Sequence, residues 1–137
     1  MSDLSITAAN VVQLTGTPTS GIAGAAITAG QEVYIDPTTQ HYLLAKANSA
    51  TVAAQSASGI AMTSAAIGQP IFVATWGTYI VGATVTVGGV YVLSGANAGG
   101  IAPIADLTSG WFTQIALIGI TSTTAKIVNI GAGVAVP

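Results

Sequence analysis

The chain has 137 residues, enough for one domain, with 51% apolar residues and only 4% charged ones. Two basic residues cannot form a surface that tracks phosphates, and the lack of cysteine removes both disulfides and thiolate metal sites. No run of about 18 apolar residues offers a spanning helix, and two Trp, four Tyr and two Phe are too few for the girdles of an outer-membrane barrel.

The chain begins "MSDLSITAAN", which lacks the basic start and unbroken apolar centre of a secretory signal. Residues 1–21 read as an extended N-terminal arm ahead of a single β domain, 22–137. The arm has one apolar cluster, Val11, Val12 and Leu14, followed by a Pro/Thr/Ser/Gly linker. It is either frayed or tied down on another surface. Its three apolar residues are the candidate anchors for an inter-subunit or larger contact, with addition to a neighbour's sheet edge as one mode.

"ITAGQEVYID" then reads as an apolar run, a Gly turn and a strand, with Glu32 in the turn facing solvent. Asp36 and Pro37 suit the first positions of a type I turn, so Val33–Ile35 and His41–Leu44 are expected to form a hairpin. The Ala-rich stretch 47–59 carries enough Ser, Thr and Asn to favour a loop or irregular strand over a helix. "SGIAMTS", "QPIFVATW" and "GTYIVGA" follow as strands, with Phe72 and Tyr34 expected in the core. "GVYVLSG" turns through "ANAGG" into "IAPIA", and Tyr91 is a further core candidate. Residues 103–110 hold the one plausible helical turn, with Asp106 as a cap or an Asx turn. "FTQIALIGITS" and "AKIVNIG" complete the strands. Turn residues recurring at this spacing indicate an all-β fold, a compact sandwich or barrel.

The chain also echoes itself. Ile22, Gly24, Ala25, Thr28 and Gly30 fall on Ile80, Gly82, Ala83, Thr86 and Gly88 at a shift of 58. Val33 and Tyr34 fall on Val90 and Tyr91 after a one-residue deletion, and Ile60, Thr63 and Ser64 fall on Ile118, Thr121 and Ser122. Two pseudo-repeated units are therefore expected, about 22–79 and 80–137. Two copies are too few for a solenoid and suggest two half-sheets closing on each other.

Chemistry is scarce. His41 is the only imidazole and would need a nucleophile and an orienting acid, for which Asp36 is the nearest candidate. Asp36, His41 and Asp106 are the best metal ligands available, and they come from different units. "GANAGG" lacks the Lys-Ser/Thr of a phosphate loop. No catalytic residues, cofactor or metal are assigned, and the chain reads as a non-enzyme. Trp76, Trp111 and Phe112 sit at element ends beside Gly77 and Gly110, as interface or core aromatics.

"TAGQEVYID", "GGVYVLS", "GGIAPIADLTSG" and "IGITS", in that order, resemble small decoration (cement) proteins of tailed-bacteriophage capsids over about residues 22–130. The resemblance implies a β-rich body on the outside of the mature shell. Its implied partners are the major capsid protein and itself, as a homotrimer, and no nucleic acid or membrane. The very low charge and "GWF" at 110–112 depart from the family's pattern. A head-fibre or tail-associated module that binds host glycan is the alternative, and it would need Trp76 or Trp111 facing solvent beside polar side chains.

Overall fold

The computed structural model describes residues 3–137 and is all-β. Eleven strands form two antiparallel sheets: β1 (Val12–Gln13), β2 (Thr19–Ile22), β3 (Glu32–Ile35), β4 (Tyr42–Leu44), β5 (Gly59–Ala61), β6 (Pro70–Ala74), β7 (Gly77–Ile80), β8 (Val90–Leu93), β9 (Ile101–Pro103), β10 (Phe112–Gly119) and β11 (Thr124–Ala135). The six-stranded sheet has the order β1-β7-β11-β10-β8-β9 and the five-stranded sheet β2-β6-β5-β3-β4. The arrangement is sandwich-like, and a parallel bridge from Ala23 to Tyr42 curls the smaller sheet toward closure.

Local chemistry explains the β3–β4 hairpin. The Asp36 carboxylate accepts the Thr38 N–H at 2.9 Å, and the Asp36 carbonyl accepts the Gln40 N–H at 2.8 Å. Gln40 takes φ +61, and Asp36 N–H donates to the His41 carbonyl at 2.9 Å. The ladder then pairs Val33 with Leu44 and Ile35 with Tyr42, so His41 ends the turn and does not begin the strand.

The two sheets share a plan. Advancing each strand number of β2-β6-β5-β3-β4 by five gives β7-β11-β10-β8-β9. Gly30 N–H donates to the Ala61 carbonyl at 2.7 Å, and Gly88 N–H donates to the Gly119 carbonyl at 2.8 Å. Gly30 and Gly88 both hold positive φ, +95 and +73. A side chain is strained there, which is why glycine stands at both. The ends of the two segments differ: β11 runs twelve residues where β6 runs five.

Four expectations change in whole or in part. Residues 3–22 are not an extended arm. Leu4 N–H donates to the Ile101 carbonyl and Thr7 N–H to the Gly82 carbonyl, both at 2.8 Å. β1 then joins the larger sheet and β2 the smaller, with Val12 opposite Ile80 and Thr19 opposite Val73. The segment thus completes both sheets of the body that follows it. The stretch 47–59 contains a 3-10 turn, Val52–Gln55, whose Gln55 amide donates to the Ser49 carbonyl at 2.7 Å. Ala47, Ala54 and Ala57 are buried beside Tyr34 and Trp111, so the alanines serve close approach to the core. Phe72 faces outward on β6, between buried Ile71 and Val73, while Tyr34 and Tyr91 are buried as expected. The expected turn near 103–110 is present as a 3-10 turn, Ile104–Asp106, and Asp106 ends it and does not cap its start.

The interior divides into three apolar clusters. One lies between the sheets, joining Tyr79, Val81, Leu117 and Ile127 to Ile60 and Ala74 of the smaller sheet. A second lies inside the curled smaller sheet around Ile27, Val33, Ile71 and Val73. The third joins Tyr34 to Val92, Leu93 and Trp111.

Candidate functional site

Among the anchor candidates, strand alternation separates neighbours. Val11 is 8% exposed and belongs to the core beside Tyr79, whereas Val12 is 48% exposed. Val11 is thus not available as a contact residue, because its side chain is consumed by the chain's own interior. Leu14 is exposed, next to the crossing where β6 hands over to β7. At that crossing the Thr78 carbonyl accepts both the Leu14 and Thr15 N–H groups, at 2.8 and 3.1 Å. The Thr15 and Thr78 hydroxyls lie 2.9 Å apart, and the Thr15 hydroxyl also accepts the Thr78 N–H at 2.9 Å. Trp76 flanks the same crossing and is 57% exposed. Val12 and Leu14, two residues apart, thus face the same way along the β1 edge of the larger sheet, and Trp76 lies exposed by the crossing at the end of that edge.

Gly77 makes this crossing possible. It holds φ +99, and a Cβ there would fall 2.3 Å from the Thr15 carbonyl oxygen. Gly77→Ala is expected to cost about 2 kcal/mol through backbone strain and displacement of residues 14–16. Thermal unfolding followed by circular dichroism checks this, and an unchanged midpoint would show that the crossing yields freely.

Beside Val12 opens a groove of about 710 Å³ lined by Ser5, Thr7, Asn10, Ile80, Thr84 and Thr123, among others. None of its lining residues is charged. The groove can offer hydroxyl and amide hydrogen bonds and apolar contact, and nothing that titrates. Sequence reasoning missed it, because Thr84 and Thr123 reach it only through the pairing of β7 with β11.

The other aromatic candidates sit elsewhere. Trp111 is 8% exposed, and its ring lies so close to Gly95 that a Cβ there would clash with it. This burial removes Trp111 as an open contact or stacking platform. Phe112 is half-buried, and its N–H donates to the Ala47 carbonyl at 2.8 Å. A cleft of about 560 Å³, lined by Asp3, Asn97, Asp106, Leu107, Thr108 and Trp111, lies at this end. Within it the Asp3 carboxylate accepts from the Ser94 hydroxyl at 2.9 Å and the Asn97 amide at 3.0 Å.

Asp36, His41 and Asp106 are not brought together: among the described residues no three His, Cys, Asp or Glu side chains gather to hold an ion. Glu32 reverses its expected position. It is 1% exposed, and neither carboxylate oxygen has a hydrogen-bond partner. Burial pushes its pKa from 4.5 up to about 8. The buried Tyr79 hydroxyl also lacks a partner, and burial, then the charge of Glu32, pushes it well above its usual range. By ladder position Glu32, opposite Ile60, matches Val90, opposite Ile118, so the carboxyl occupies a place where the other sheet holds an apolar residue.

Comparison with protein-family models and with curated proteins gives no match to this chain.

Proposed function

We propose that this protein is a structural virion component that docks on the outside of a tailed-bacteriophage capsid and stabilises the shell. The observation that carries this reading is the uncharged groove beside Val12, with exposed Leu14 and Trp76 along the same sheet edge. Exposed large apolar side chains around a neutral recess suit a shape-complementary contact, in which a few anchors dominate the energy. Each copy would stabilise the shell by binding the assembled lattice and not its free subunits. Copies bridging neighbouring capsomers act multivalently, so modest contacts suffice. The sequence resemblance to decoration proteins points the same way.

The test uses purified shells of the phage that encodes the protein. Affinity is expected to change less than about three-fold between about 0.05 and 0.5 M salt, because screening acts on exposed charges. Val12→Asp with Leu14→Asp, or Trp76→Ala, is expected to weaken binding at least about ten-fold. These point variants are cleaner than deleting residues 1–20, which would take β1 and half of β2 out of the two sheets. A steep salt dependence, or full occupancy by the variants, would remove the reading.

A second reading, glycan binding, draws on the cleft lined by Asp3, Asn97, Asp106 and Thr108, whose polar groups would have to hold a sugar without a stacking ring, since Trp111 is buried. A glycan array hit lost in Asn97→Ala would favour it over capsid docking.

A further inference from the structure

β11 outruns its neighbour on one side. Its pairing with β7 ends at Ile127 opposite Gly77, while its pairing with β10 continues to Ala135 opposite Phe112. From Val128 onward the side of β11 away from β10 has no strand beside it among the described residues. Backbone N–H and C=O groups in an antiparallel ladder point alternately to its two sides, so this edge presents unpaired groups outward. Proteins blunt such edges with charge, proline, bulges or a covering segment. No charged residue occurs from Ile127 to Pro137, and Ile130 and Val134 are 63% and 64% exposed. Two register shifts bend this segment, one between Ile127 and Ile130, where Asn129 holds φ +53, and one around Gly133, at φ +77.

We propose that this edge pairs with the same edge of a second copy of the chain, about a two-fold axis through Ala132. The segment reads the same in kind from either end: Ile130, Gly131, Ala132, Gly133, Val134. An antiparallel pair centred on Ala132 sets Ile130 of each copy against Val134 of the other, and glycine against glycine. β-branched residues facing each other across strands are favourable pairs, and the glycines let the backbones approach. Neutrality supports a self-match, since two copies bring no like charges together and the strand offers no charge to an acidic or basic partner.

Five residues of strand span about 17 Å, and such a contact falls below the roughly 800 Å² per partner of a standard interface. The pairing is therefore weak in free solution and strengthens where copies are held close together. It does not depend on capsid docking, and its two-fold symmetry differs from the three-fold assembly that the sequence resemblance implies.

Sedimentation equilibrium from about 10 µM to about 1 mM tests it, a range that reaches weak association. The average mass is expected to rise from the 13.4 kDa of one chain toward twice that value. Amide hydrogen exchange over residues 128–134 should slow at the upper concentration. Ile130→Lys with Val134→Lys is expected to weaken the association at least about ten-fold, since lysine is an edge-blunting residue. The exchanged pair, Ile130→Val with Val134→Ile, keeps the facing residues and should keep the association. A single-chain mass across the range overturns the proposal. So does an assembly of any order that the lysines leave intact, or one in which the 128–134 amides exchange at an unchanged rate.

Discussion

Glu32→Gln is expected to stabilise the protein by about 4 kcal/mol at pH 8 and to leave it nearly unchanged at pH 4. The reason is the buried carboxyl group, whose pKa rises from 4.5 in the unfolded chain to about 8 in the fold. Below pH 4.5 it is neutral in both states, and the fold pays no charge penalty. Between 4.5 and 8 only the unfolded chain releases the proton, so stability falls with rising pH by up to about 1.4 kcal/mol per unit. Above 8 the folded state ionises as well and the fall levels off. Tyr79 adds a further loss in the alkaline range, because its hydroxyl also holds its proton more tightly when folded. Glutamine keeps the volume of glutamate and is as poorly partnered there as the neutral acid, so the comparison isolates charge. Urea unfolding of both proteins at pH 5 and pH 8 provides the measurement. Wild type should lose several kcal/mol between the two, and the variant almost none. Parallel behaviour would mean that the carboxyl finds a partner or water inside the fold.

Gln114→Ala is expected to cost about 3–4 kcal/mol, because one side chain satisfies several buried groups. Its side-chain oxygen accepts the Ala57 N–H, and its amide donates to the Ala57 carbonyl at 2.8 Å and to the Asn129 side-chain oxygen Oδ1 at 2.7 Å. Asn129 then donates to the Ser58 carbonyl at 2.7 Å. The clamp holds the root of the β10–β11 ribbon against residues 57–58, and Asn129 sits at φ +53, a conformation asparagine tolerates better than most residues. Gln114→Ala strands the Ala57 N–H and carbonyl together. Gln114→Glu should be no better, since a carboxylate would face two carbonyl oxygens. A double-mutant cycle with Asn129→Gly, which preserves the backbone conformation, should show a coupling of about 1 kcal/mol or more. Additive losses would show that the two residues act separately.

The sequence made some of this architecture legible because the responsible interactions are local. Asp36 and Pro37 announce a turn that their own neighbours complete, and the β-branched runs at 33–35, 71–73 and 90–93 become strands. What escaped depends on remote partners. Nothing near Val12 shows that it will lie opposite Ile80, so residues 3–22 looked detached. Trp76 and Trp111 each adjoin a glycine, yet one lies open and the other is covered, because only Trp111 meets Gly95 and the buried alanines. Val11 against Val12 was readable in principle from strand alternation, had β1 been recognised as a strand. Glu32 was misplaced because its polarity outweighed its position at the start of a core strand.

The threading of residues 3–22 through both sheets has a consequence for how the molecule is made. The strand partners of this segment, Val73 and Ile80, lie far along the chain. During synthesis residues 12–22 must therefore wait, without their strand partners, until residues 70–80 have been added. Long-range pairing of this kind slows folding and lengthens exposure to misassembly.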